Sequence, residues 1–169
     1  MIHNITEQEF RLYEGCRQIV AEDSACQFAA LDLGDAGSYA LGWNSSKVIQ
    51  PELELSFDKL TVWIGVNQYL VGISLSSGRI CLSLKLHTNI LEIKALEKMM
   101  AIRAETEILL LDSDFSIFFN ESFPDITEEI QAIDNTLKIH FLEGSTILVD
   151  LHNGNILNDI ASNVPHFIK

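Results

Sequence analysis

Asp112-Ser113-Asp114 places two carboxylates at the spacing that opens a calcium-binding loop, where acids converge on a hard cation. Such a loop next takes an oxygen ligand and then a glycine, and a glutamate closes it. Here Ser116 and Ile117 hold the next two places and no glutamate stands at the closing position, so the pair reads as the polar tip of a hairpin. Ser56-Phe57-Asp58-Lys59 spells S-x-x-K, the spacing that sets a lysine one helical turn from a nucleophilic serine. It lies in a strand-like stretch, where that geometry is lost, and the companion S-D-N and K-T-G motifs are missing. The five histidines (His3, His87, His140, His152, His166) show no i, i+4 pairing and share no motif with cysteine or carboxylate. Gly34-x-x-Gly37 has neither the lysine nor the spacing of a phosphate loop. Cys16, Cys26 and Cys81 lack C-x-x-C spacing, and two of them sit in core-like patterns, which suits reduced structural thiols. These residues lead to no catalytic, metal or cofactor assignment, and the chain reads as a non-enzyme.

Charge says more. Against 24 acids stand 11 Lys plus Arg, a formal net charge of −13. Such a balance repels nucleic acid and anionic membranes and favours a cationic partner. From Ala104 to Leu137 there is no Lys or Arg at all. The same stretch carries Glu105, Glu107, Asp112, Asp114, Glu121, Asp125, Glu128, Glu129 and Asp134. Most fall in expected turns or at strand ends, where they can converge on one rim. Like charges so gathered repel one another, and a basic protein docking there relieves the repulsion. These nine acids are the candidate partner-binding residues. An acidic face kept for solubility is the competing explanation.

The elements that must position them are strands. Thr61 to Leu82 holds two apolar runs separated at Asn67-Gln68, with a third beginning after Ser76-Ser77-Gly78. Runs of this kind separated by short turns with Gly or Asn are antiparallel hairpins. Shifting the chain by 76 lays Val71, Ile73, Leu75, Gly78 and Ile80 on Ile147, Val149, Leu151, Gly154 and Ile156. The same shift sets Asn67-Gln68 on Glu143-Gly144, but Val62 and Ile64 then fall on Lys138 and His140. A third hairpin, Ile108 to Leu111 and Phe115 to Phe119, turns at Asp112-Ser113. Met99 to Ala104 supplies the strand before it, and Ile130 to Ile133 the strand before the last copy. Upstream, Thr6 and Glu9 form a capping box, and Phe10, Leu12, Tyr13, Cys16, Ile19 and Val20 follow at helical spacing. This predicts a helix from Glu7 to Ala21. Ala25 to Leu33 suits helix or strand, Tyr39 to Trp43 a short strand, and Asn44-Ser45-Ser46 a turn. With 169 residues, 47% of them hydrophobic, a single domain over 1–169 is expected: a helical and mixed segment 1–50, then hairpin repeats over 51–169. The first residues carry neither a basic leader nor an apolar run, and no stretch is long enough to span a bilayer as a helix, so a cytoplasmic protein is expected.

The phrase VWIGVNQYLVGISLSSGRICLSL resembles a blade of the quinoprotein-type β-propellers: strand, polar turn, strand, Ser-Gly turn, outer strand. FLEGSTILVDLHNGNIL repeats it less completely. The resemblance implies a mainly β (α+β) fold, a partial propeller-like or twisted antiparallel array packed by the N-terminal helix. Propellers close with about four to eight blades, whereas Leu60 onward holds about three units, and none of that family's cofactor apparatus transfers. Open strand edges would need cover by the helix, by charge, or by a second copy of the chain. In general character (small, strongly acidic, without a catalytic signature) the chain also resembles bacterial immunity proteins, such as those of contact-dependent growth-inhibition systems. That likeness implies an inhibitor of a basic toxin, a nuclease by preference, because a toxin that grips phosphates presents Lys and Arg. The alternative is a scaffold or regulatory module that binds proteins through propeller-like surfaces, and a remoter one an enzyme of unrecognised type.

Overall fold

Val62, Ile64 and Val66 alternate with Trp63 and Gly65 along one strand, and all six residues Thr61–Val66 are buried. A strand apolar on both sides needs cover on both faces, and the computed structural model, which describes residues 1–45 and 50–160, provides it. Among the described residues sixteen strands form four separate four-stranded sheets arranged as blades. Blade 1 holds β1 (Ile2–Asn4), β2 (Gln18–Ala21), β3 (Gln27–Asp32) and β4 (Ser38–Trp43). Blade 2 holds β5 (Glu52–Leu55), β6 (Thr61–Val66), β7 (Tyr69–Ser74) and β8 (Ile80–Lys85). Blade 3 follows with β9 (Ile90–Ala95), β10 (Met99–Ala104), β11 (Glu107–Asp112) and β12 (Ile117–Ser122), and blade 4 with β13 (Thr127–Ile133), β14 (Thr136–Phe141), β15 (Thr146–Asp150) and β16 (Ile156–Ile160). Blades 2 to 4 are antiparallel meanders in chain order. Blade 1 runs β1-β3-β4-β2, with β2 parallel to β4. The mainly β, propeller-like expectation therefore holds.

The repeat is one blade of about 38 residues, and the offset of 76 spans two of them. Val62, Ile64 and Val66 of β6 correspond to Met100, Ile102 and Ala104 of β10, and to Leu137, Ile139 and Phe141 of β14; each set is buried against the preceding blade. Across the β6–β7 turn Ile64 pairs with Val71, seven residues on, whereas across the β14–β15 loop the equivalent Ile139 pairs with Ile147, eight residues on. The longer loop shifts everything before it by one, and in a strand a one-residue slip exchanges the two faces. That is why an unbroken offset of 76 set Val62 and Ile64 on the polar Lys138 and His140.

Three apolar clusters join blade 1 to 2, blade 2 to 3 and blade 3 to 4. Among the described residues none joins blade 4 to blade 1, so the blades form an open arc. Its first face is covered by α1 (Glu7–Phe10): Phe10 is buried, its ring lies 5.2 Å from that of Phe28, and it packs over Gly42. The last face is polar. Positions held by Trp63 and Leu70 in blade 2, and by Ala101 and Ile108 in blade 3, are Lys138 and Thr146 in blade 4. A terminal repeat needs a polar outer face.

Three expectations are corrected. The Thr6–Glu9 capping box forms, but the helix is Glu7–Phe10, not Glu7 to Ala21, because Gly15 lies in its path and Gln18–Ala21 is claimed as strand β2. Within segment 1–50, expected as helical and mixed, the described residues build the four strands of blade 1 beside α1. Cys26 and Cys81 are exposed free thiols, so they are not a pair of core residues; the side chain of Cys16 lies outside the description, as do Ser46 and His166.

Candidate functional site

Strands in blades 2 to 4 alternate in direction, so their turns fall on two opposite rims. The first rim collects the β5–β6, β7–β8, β9–β10, β11–β12, β13–β14 and β15–β16 turns together with the β3–β4 turn of blade 1. The second collects the β6–β7, β10–β11 and β14–β15 turns and the connectors between blades. The β8–β9 and β12–β13 connectors dock on the preceding blade's turn: Ile90 N–H donates to the Asn67 carbonyl at 2.6 Å, and Thr127 N–H to that of Glu105 at 2.7 Å.

This alternation divides the acidic run. Asp112, Asp114 and Asp134 belong to the first rim; Glu105, Glu121, Asp125, Glu128 and Glu129 lie at or near the second. The nine acids do not converge on one surface. Glu107 departs furthest from expectation: it is 1% exposed, and its carboxylate accepts the His87 backbone N–H at 3.0 Å, pinning the β8–β9 connector to β11. Glu105 accepts the Asn89 amide at 3.0 Å, and Asp125 accepts the Glu143 N–H at 3.1 Å, so both are partly committed to the fold. Glu121, Glu128 and Glu129 are exposed, Glu129 accepting from the Gln131 amide. Two bases bracket the run, Arg103 and Lys138. Arg103 lies 3.0 Å from Glu92 and donates to the Thr127 carbonyl, while Lys138 sits on the last face of blade 4.

The first rim holds a feature that the sequence reading missed. Between blades 2 and 3 a cleft of about 390 Å³ opens, walled by Trp63, Phe57 and Phe115, with Asp58 on one blade and Asp112 on the other. Asp58 is fixed by the Ser56 hydroxyl at 2.6 Å and the Leu60 N–H at 2.9 Å. The serine hydrogen bond first, and the backbone one second, hold its carboxyl below the usual range. Asp114 is lowered in the same way by Ser116, through hydroxyl and then backbone N–H. Phe115 has φ +70°, a left-handed conformation that a bulky residue adopts at a cost of about 1–3 kcal/mol. The corresponding positions of the sister turns are glycines, Gly78 at φ +64° and Gly154 at φ +72°. In all three turns the preceding side chain (Ser77, Asp114, Asn153) accepts the following backbone N–H, which establishes the equivalence. Blade 3 thus spends strain to put a ring 5.7 Å from that of Trp63. The only signal of this in sequence was a phenylalanine where the repeat grammar asks for glycine.

Among the described residues no group of three His, Cys, Asp or Glu is placed to hold a metal ion, and no helix is long and apolar enough to cross a membrane.

No protein-family model and no curated protein matches the chain. Solved structures do. The chain is similar to the computationally designed Ika4 protein (TM-score 0.56, 11% identity, 69% of this chain and 76% of that one). It is also similar to the designed Ika8 protein (TM-score 0.57, 11% identity, 82% and 46%). The WD40 domain of Neurospora crassa Pan2 superposes with TM-score 0.53 at 6% identity, over 66% of this chain and 38% of that one. Against the latter two, the chain spans less than half of their length. At such identities the likeness is one of fold: a propeller-like array of repeated β blades.

Proposed function

We propose that this chain is a non-catalytic protein-binding module whose partner is basic, and in its finest form an immunity-type inhibitor that occludes the active site of a basic toxin such as a nuclease. The observation that carries this reading is the second rim of blades 3 and 4. There Glu121, Glu128 and Glu129 are exposed, with Glu105 and Asp125 beside them, while Arg103 is turned onto Glu92 and the Thr127 carbonyl. A patch of one sign raises the association rate of an oppositely charged protein and sets its orientation. A rigid scaffold suits such a surface, because the β8–β9 and β12–β13 connectors are hydrogen-bonded to the preceding turns and the partner need not order them.

The test is titration of a purified basic toxin domain encoded in the adjacent reading frame. Its activity should stop at one molar equivalent of this protein. The on-rate should fall steeply with salt, since the Debye length is about 8 Å at physiological ionic strength. Reversing Glu121, Glu128 and Glu129 to Lys should abolish binding with the fold intact, and reversing Asp35 and Asp134 on the first rim should not. Salt-independent binding, or equal loss from both sets, would sink the electrostatic reading and leave the alternative of a scaffold that uses strand edges. Those edges are available: the outer strands β8, β12 and β16 each begin with an exposed isoleucine, Ile80, Ile117 and Ile156.

A further inference from the structure

We infer that the cleft between blades 2 and 3 is a recognition site for an arginine side chain of another protein, separate from the acidic second rim. The molecule already solves this problem once, one interface away on the same rim. Between blades 1 and 2 the guanidinium of Arg17 stacks over the Tyr39 ring, 4.8 Å from its centroid, and donates to the Ala36 carbonyl at 3.4 Å. Gly37 leaves room for it, since a Cβ there would stand 2.7 Å from Arg17 Nη1. The Tyr39 hydroxyl donates to the Gly78 carbonyl at 2.6 Å, and the Ala36 carbonyl lies where a Cβ on Gly78 would be, at 2.3 Å. That interface is therefore filled by the chain itself.

Between blades 2 and 3 the equivalent turn carries Phe115 in place of Gly78, and the space beside it is open. Its walls have the composition that a guanidinium requires: aromatic carbon for stacking and carboxylates for paired hydrogen bonds. Phe57 is 67% exposed at its edge. Asp58 and Asp112 approach from the two blades, with Glu97 added, against Lys98 as the one base in the lining. Ser56 and the Leu60 N–H fix Asp58 before any ligand arrives. Trp63, 1% exposed, forms part of the wall, and its indole N–H, like that of Trp43 in the blade 1–2 cluster, is buried without a hydrogen-bond partner among the described residues. The place of Trp63 in the wall makes its indole N–H a reporter of what enters the cleft. The strained Phe115 has no counterpart in the sister turns, and it makes sense where the ring is needed as a wall.

The probe is N-acetyl-arginine N-methylamide, titrated into the ¹⁵N-labelled protein. The two tryptophans give two indole N–H signals, and Trp43, which belongs to the blade 1–2 cluster, serves as the internal reference. The Trp63 signal should shift saturably with a Kd in the millimolar range, about what one well-formed side-chain site supplies, while that of Trp43 stays. Asp58→Asn with Asp112→Asn should weaken binding about tenfold or more. Phe115→Gly should fold at least as well as the parent, because the sister turns carry glycine there, and yet lose the site. Failure of the Trp63 signal to saturate, equal affinity for the corresponding lysine or leucine amide, or unchanged binding in Phe115→Gly would each overturn the assignment. Basic-partner binding at the second rim would survive all three results.

Discussion

Trp63 and Lys138 occupy the same place in two blades, the second inward step of the second strand, facing the next blade along the arc. In blade 2 the next blade exists, and Trp63 is 1% exposed against Met100, Ile102 and Leu109. In blade 4 no described blade follows, and Lys138, His140 and Thr146 share a half-buried polar face on which His140 Nδ1 and Thr146 Oγ1 lie 3.3 Å apart. Equivalent strand positions thus carry opposite chemistry, and the difference separates a face covered by a blade from one that is not. Burial holds the inner interfaces together, while the outer faces need only stay compatible with water.

The largest effect that tests this contrast is Trp63→Ala. It removes the biggest fully buried side chain from the blade 2–3 cluster and should cost about 3–5 kcal/mol by urea denaturation. A loss under about 1 kcal/mol would mean that the interface repacks freely and that inner and outer faces differ less than their exposure suggests. Next comes the covered first face. Phe10→Ala should cost about 2 kcal/mol, less than a central aromatic, because its neighbours Phe28 and Gly42 lie at the end of the arc and can settle toward solvent. If the loss matched that of Trp63, α1 would be acting as a full blade partner.

How much of this was readable follows from the same physics. The β6–β7–β8 hairpins were legible because alternation and turn chemistry agree there, with Asn67 adopting φ +49° in a two-residue turn and Gly78 the left-handed position that follows. Blade 1 was hidden because Phe10, Leu12, Tyr13, Ile19 and Val20 match a helical stripe as well as a short helix followed by a strand. Gly15 was the signal against the long helix. The acidic run was visible as composition, but its division between rims depends on strand direction, and the burial of Glu107 on a tertiary contact with the His87 backbone. The cleft was less legible still, since its floor and walls come from turns some forty residues apart and only the glycine-for-phenylalanine exchange at Phe115 hints at it.

Lys138→Leu probes the outer face directly and should be nearly silent for stability, within about 0.5 kcal/mol either way, since the site is only half-buried. Its expected consequence is association. A leucine beside Leu148 enlarges an apolar patch at the end of an array, so sedimentation velocity should show concentration-dependent dimers that the parent lacks. A strongly destabilised monomer would instead show that Lys138 is part of the packing of blade 4.

The smallest effect concerns the turns on either side of the cleft, where charge and hydrogen bonding act without burial. Asp58 and Asp114 both have carboxyl pKa values held below the ordinary 3.8, Asp58 first by the Ser56 hydroxyl and Asp114 first by the Ser116 hydroxyl. A depressed folded-state pKa means that the ionised carboxylate is favoured in the fold. Its contribution to stability is therefore complete above the unfolded value and is lost as pH falls through the folded one. Asp58→Asn should accordingly lower Tm slightly and by a constant amount from about pH 7 to about pH 5, and the gap should close as the pH falls past the ordinary 3.8 and through the lowered folded-state value. Ser56→Ala, which removes the leading cause of the shift, should reproduce most of that pH dependence, while Ser116→Ala should do so for Asp114. Both side chains are exposed, so the gap will be small beside that of Trp63→Ala, and its closing with acid is the informative part. A gap that persists unchanged at low pH would mean that the aspartate shapes the turn by its size and hydrogen-bonding oxygen alone, and that the wall of the cleft is set by packing on both sides.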